Sequence, residues 1–245
     1  MMDYKAALRI LLLILPVAWN SPGAIAQYGD LLLERIAHYP FSIDARDISG
    51  MGNHGIVSGA LFTSEDFEGD GHSYYFDGVD DKIVCRSSGL EISSSVTVSC
   101  WIKTDISTEN RHIVSKYNLD SDGGFILGIQ EGYAKWAGRM GTGQFIRMTS
   151  ASRVDDKRWH SLIGMVSQGH WYLYVDGILE GLVETGSIST DLSADAPLTF
   201  GYPSSGDSEN QWHYEGLLDQ VIIYGRPLND CELEILVSGI PTQTR

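Results

Sequence analysis

The chain has little of what would place it in several familiar classes. It holds only three cysteines, with no C-x-x-C arrangement, so neither a zinc ribbon nor a disulfide-built scaffold is expected. Cations are scarce: 17 Lys and Arg against 32 Asp and Glu leave a formal charge of −15. Such a surface repels nucleic acid and anionic lipid, and acidity on this scale serves either solubility or cation binding. Helical periodicity is almost missing, and there is neither a G-x-S-x-G elbow nor a histidine pair at i, i+4 of the metalloprotease kind. No fixed-period repeat and no Pro/Ser linker divides the chain.

Its first residues read as a leader. Lys5 and Arg9 flank and precede the apolar run ILLLILPVAW (10–19), and the small residues Ala24 and Ala26 follow. This is the pattern of a secretory signal peptide, with cleavage expected after Ala26. Pro16, Asn20 and Pro22 interrupt the run before it reaches the roughly 20 apolar residues of a membrane helix. A secreted protein with no membrane insertion after cleavage is expected, with one domain over 27–240 and a short tail over 241–245. If the chain forms a disulfide, the expected pair is Cys85 with Cys100, which sit on successive strand-like segments.

What the chain does have is short runs rich in Val, Ile, Tyr, Trp and Phe, separated by Gly, Asp, Asn and Ser. In VTVSCWIK (96–103), Val96, Val98, Cys100 and Ile102 alternate with Thr97, Ser99, Trp101 and Lys103, the period of a half-buried strand. HWYLYVDG (170–177) alternates too and ends in Asp-Gly before ILEGLVE, so 170–184 reads as a hairpin. Further strands are expected at 72–76, 81–86, 111–117, 124–129, 145–149, 158–167, 197–201 and 213–224. One segment reads as helix: after Pro227, Asn229 and Glu232 have the spacing of a capping box. Many strands, one late helix and no βαβ alternation predict an all-β sandwich or barrel.

The order of five stretches carries a resemblance: YPFSIDARDISGMGNHG (39–55), SYYFDGVDDKIV (73–84), VTVSCWIK, RWHSLIGMV (158–166) with WYLYVDG, and EGLLDQVIIYGRPLNDCEL (215–233). Together they resemble the laminin-G-like, concanavalin-type jelly-roll domain, in the branch that also resembles pentraxins. The resemblance implies two stacked antiparallel sheets whose first and last strands are neighbours. A pentraxin-like disulfide would join Cys100 to a residue near Leu162, where this sequence has no cysteine.

Some domains of this type hydrolyse polysaccharide, which needs two carboxyl groups flanking the bond. On a sheet these would be acids two or four apart on one strand. EDFEGD (65–70) reads as a loop, and Glu232 and Glu234 fall in the expected helix. His160 and Ser161, adjacent on a strand, point to opposite sides, and His160 reads as a packed or hydrogen-bonded residue. The expectation is a protein that is not an enzyme.

The loop at 39–55 lacks the alternating acids of an EF-hand and the Lys-Ser/Thr of a phosphate cradle. Asp44, Asp47 and the Asn53 amide could supply oxygens to a hard cation, and calcium suits such irregular cages. The resemblance implies a structural calcium near an acid that opens the last strand, matched here by Asp219. The alternative is that Asp44 and Asp47 make Asx-turns and Asp219 caps a turn or pairs with a basic residue. Trp101, Trp159 and Trp171 lie in strands and read as core. Trp136 and Trp212 stand among polar and glycine-rich residues and are the candidate sugar platforms, with Arg139, Arg147, Tyr202 and Asn210 as polar groups near them in sequence. Two functions remain: a glycan-binding or adhesive module, and an extracellular structural or protein-interaction domain without a sugar site.

Overall fold

The computed structural model describes residues 34–238 together with position 31, apart from 68–70, 86–89, 91, 93, 109, 119–122, 140–143, 187–190 and 205–211. The expected leader, the expected tail and Asn210 lie outside the described residues. In chain order the strands are β1 (Arg35–Tyr39), β2 (Gly55–Ser58), β3 (Leu61–Thr63), β4 (Ser73–Asp77), β5 (Lys82–Cys85), β6 (Val96–Lys103), β7 (Asn110–Tyr117) and β8 (Gly124–Gln130). They continue as β9 (Tyr133–Arg139), β10 (Phe145–Arg153), β11 (Trp159–Ser167), β12 (His170–Val175), β13 (Ile178–Glu184), β14 (Leu198–Phe200) and β15 (Glu215–Tyr224), and α1 (Asp230–Val237) follows.

All pairings between these strands are antiparallel and make two sheets. One runs β13-β12-β11-β6-β15-β4-β3, with β1 also on β15; the other runs β10-β9-β8-β7-β14-β5-β2. This is the jelly-roll sandwich expected from the sequence, and β1 beside β15 joins the first and last strands as the resemblance implied.

The alternation read from the sequence is the alternation observed. Val96, Val98, Cys100 and Ile102 face the core, as do Trp171, Leu173 and Val175. The hairpin turn at 176–177 uses Asp176 at φ 51° and Gly177 at φ 78°, both in the left-handed region that a two-residue hairpin of this kind demands. Asp176 then accepts the Ser161 N–H at 2.9 Å and holds His160 at 2.8 Å. A second bond, 3.0 Å to Asp156, fixes the other ring nitrogen, so His160 is the hydrogen-bonded residue the sequence suggested. In α1 the capping box forms: Glu232 N–H donates to Asn229 Oδ1 at 3.1 Å and Asn229 N–H to Glu232 Oε2 at 2.9 Å.

The Cys85–Cys100 disulfide is not formed; both thiols are free and buried. The chain crosses from one sheet to the other between these strands: β5 lies in one sheet and β6 in the other. Facing sheets stand about 10 Å apart, too far for the ~6 Å between Cα atoms that a disulfide needs. Burial instead pushes the Cys85 thiol up to about 12. Cys100 does pair with Leu162 in register, the position where a pentraxin-like bond would fall, and leucine fills it.

Candidate functional site

The core faces of β7 to β10 define, by alternation, the opposite face of their sheet. Phe125, Leu127 and Ile129 of β8, Ala134 and Trp136 of β9, and Ile146 and Met148 of β10 belong to the core. Their neighbours Ile126, Gly128, Lys135, Ala137, Arg139, Phe145 and Arg147 therefore face outward. Register sets them in rows across the sheet: Arg147 beside Ala137 beside Ile126, and Lys135 beside Gly128 beside His112.

A cleft of about 140 Å³ opens over these rows, lined by Asn110, His112, Tyr117, Ile126, Lys135, Phe145, Arg147 and Trp212. A register shift in β7 between His112 and Val114 shapes its floor. There the Arg111 carbonyl oxygen lies 2.1 Å from where a Cβ on Gly128 would stand, so only glycine fits. The same small residue leaves room for the Lys135 stem, whose Cε is 3.4 Å from that point.

Trp212 reaches the cleft from outside the four strands. Its carbonyl accepts the His112 N–H at 2.9 Å, and its indole stacks on the His112 imidazole with ring centres 5.6 Å apart and planes 11° from parallel. The ring is partly exposed. His112 is buried, and among the described residues its Nδ1 has no hydrogen-bond partner; burial, with the Lys135 charge beside it, lowers its pKa far below the ordinary value.

Lys135 is only 3% exposed, and its ammonium donates to Asn110 Oδ1 at 3.3 Å. Burial first, then repulsion from Arg147, lowers its pKa to about 8. Among the described residues, none of the lining is acidic.

Of the four proposed ligand contacts, the structure brings Arg147 and Trp212 together. Tyr202 sits nearby but outside the lining, edge-on to His213 at 4.8 Å with the Lys82 ammonium 4.8 Å over its ring. Trp136 is elsewhere: it is fully buried in β9, packed on Phe125 and Trp171. The stretch YAKWAGR, whose tryptophan stands among polar and glycine-rich residues, is a strand whose outward charges belong to the cleft. Lys135, His112 and Asn110 were not singled out from sequence. Lys135 carried a signal, since it alternates with Ala134 and Trp136.

The loop at 39–55 is built round an anion. The Asp47 carboxylate accepts N–H groups from His38 (2.9 Å), Ser49 (2.8 Å) and Asn53 (2.9 Å). These bonds outweigh burial and hold its pKa below the ordinary carboxylate range. Asn53 donates to the Ile36 carbonyl at 2.8 Å, and exposed Asp44 pairs with Arg46 at 2.7 Å. The Asp219 oxygens accept the Phe67 and Gln220 N–H groups at 3.1 and 2.8 Å. The carboxylates of Asp47 and Asp219 thus serve peptide donors, and among the described residues Asp44, Asp47 and Asp219 are not a converging group of three. Among the described residues, the acids that do converge are Asp77, Asp80 and Asp81, their oxygens within 4.8 Å of one another. Asp77 and Asp81 accept the N–H groups of Val79 and Asp77 at 2.8 Å, the work of a turn.

Fold and site together define a jelly-roll sandwich with an aromatic, cationic cleft on the outer face of one sheet. The family model described as the concanavalin A-like lectin/glucanases superfamily, of laminin-G type, matches residues 77–234, and the chain belongs to that family. No curated protein matches it in sequence. Among solved structures it is similar to the binding domain of Paraclostridial mosquitocidal protein 1, with TM-score 0.68 and 19% identity, covering 84% of this chain and 52% of that one. It is similar to domain 4 of AbnA, a GH43 extracellular arabinanase from Geobacillus stearothermophilus, in complex with arabinotriose. There the TM-score is 0.68 at 18% identity, over 83% of this chain and 98% of that one. It is also similar to the botulinum neurotoxin serotype D ligand binding domain in complex with N-acetylneuraminic acid, with TM-score 0.67 and 16% identity, over 87% and 53%. The chain spans about half the length of those toxin domains. At such identities the likeness establishes the fold and not the ligand. Among the described residues no helix is long and apolar enough to cross a membrane.

Proposed function

We propose that the chain is a secreted, non-catalytic carbohydrate-binding module whose ligand occupies the cleft under Trp212. The observation that carries this reading is the Trp212–His112 stack, a flat and partly exposed indole set beside Lys135, Arg147 and Asn110. Sugar rings have apolar C–H faces edged by hydroxyls, and sites for them combine an aromatic surface with a few fixed polar groups. Support comes from two relatives of like fold, one in complex with arabinotriose and one with N-acetylneuraminic acid.

A glycan array, run with calcium and with chelator, tests it. The folded protein should capture a defined set of glycans, and Trp212→Ala should lose them. Wild-type protein that is folded yet captures none would favour an extracellular protein-interaction domain instead.

A further inference from the structure

The chain carries nearly two acids for each base, yet among the described residues the lining of its cleft carries Lys135 and Arg147 and no acid. Lys135 is buried, and its one hydrogen bond among the described residues goes to a neutral amide, Asn110. A buried ammonium without a counter-charge is costly, and folded proteins normally pair such groups. Arg147, on the neighbouring strand β10, is exposed at the mouth and makes no ion pair among the described residues. The two cations repel each other, so the free protein holds an electrostatic deficit that an anion in the cleft would relieve. The walls are aromatic, with Trp212, Tyr117 and Phe145 around the apolar floor of Ile126, which suits a ring attached to that anion better than a free ion.

We infer that the ligand of this cleft is an acidic saccharide, whose anionic substituent, a carboxylate or a sulfate, enters between Lys135 and Arg147 while its ring lies against Trp212. The inference rests on the carbohydrate-binding reading and narrows its ligand class. Lys135 supplies a buried point charge, Asn110 holds the ammonium, and Arg147 offers a planar donor set at the entrance. A neutral sugar of the same skeleton would leave Lys135 as the free protein leaves it. The discrimination then comes from an unmet buried charge rather than from shape.

The test uses the whole chain on an array of matched triplets, each with one neutral skeleton and its carboxylated and sulfated forms. Affinities of the captured members are then measured for wild type, Lys135→Met and Arg147→Gln. Arg147 is exposed, so its variant reports binding even if the core variant fails to fold; melting temperatures check both. The expected result is capture of acidic members at least tenfold more tightly than their neutral partners. Lys135→Met should erase most of that preference and Arg147→Gln part of it. Whether carboxylate or sulfate is taken follows from which member leads. Equal capture of neutral and acidic members, unchanged in both variants, overturns the inference and leaves the carbohydrate reading standing. Capture of no saccharide overturns both.

Discussion

The indole of Trp136, on β9, lies flat against the backbone of Gly164, on β11 of the opposite sheet. A Cβ placed on Gly164 would stand 2.4 Å from two carbons of that ring. The glycine is the recess that lets a tryptophan fit between sheets, and the contact explains why Trp136 is no sugar platform. Gly164→Ala is expected to destabilise the fold through overpacking, by about 1–3 kcal/mol. Trp136→Ala should cost about 3–5 kcal/mol. Denaturant melts of the two variants check both; a Trp136→Ala protein as stable as wild type would contradict the core assignment.

Trp212 should behave in the opposite way. Its ring is partly exposed, and among the described residues its one aromatic partner is His112. Trp212→Ala is expected to melt within a few degrees of wild type while binding its saccharide at least several-fold less tightly, in line with aromatic contact energies of about 1 kcal/mol. Calorimetry on the array-selected sugar measures this.

Lys135 gives stability a pH signature. Its folded pKa is lowered to about 8 from the ordinary 10.5, so between those values the unfolded chain binds more protons than the native one. Stability therefore rises with pH through that window. The groups facing the ammonium are Asn110, His112 and Arg147, and none of them gains charge there. Wild type should gain stability, relative to Lys135→Met, as pH rises from about 8 toward 10.5. Over the same window its affinity for an acidic saccharide should fall as the ammonium loses its charge. Paired melts across pH measure the first effect and titrations the second.

Asp219 accepts peptide N–H groups from Phe67 and Gln220, so its value is structural. Asp219→Ala is expected to lower the melting temperature by the same amount in calcium and in chelator. A loss seen only with calcium present would show that the carboxylate holds an ion, since a cation bound by the native state alone stabilises in proportion to its occupancy.

The thiols offer a direct check on the sheets. Cys231 is exposed, whereas Cys85 and Cys100 are buried and free. A thiol reagent should modify one cysteine in native protein and three after denaturation. Only one reactive thiol in the denatured, unreduced protein would signal a bridge.

The sequence by itself determined most of the strands, though not β2, β3 or β9, and the faces of those that alternate. Val96, Val98, Cys100 and Ile102 on β6, the Asp176-Gly177 turn and the Asn229–Glu232 box were all legible, because each depends on a period or a turn geometry that a few neighbouring residues impose. It did not determine which strands share a sheet, and so Cys85 and Cys100 looked adjacent although a core lies between them. The cleft was hidden for a related reason. Lys135 and Arg139 put charge on alternate positions of β9, and Gly138 lies against the Trp171 ring, so a strand with one packed face and one cationic face read as a polar, glycine-rich stretch. Tertiary structure alone decided that Trp136 turns inward onto Gly164. It also decided that Trp212, some hundred residues from His112, stacks on it beside a buried lysine, because those contacts join strands that no local pattern relates.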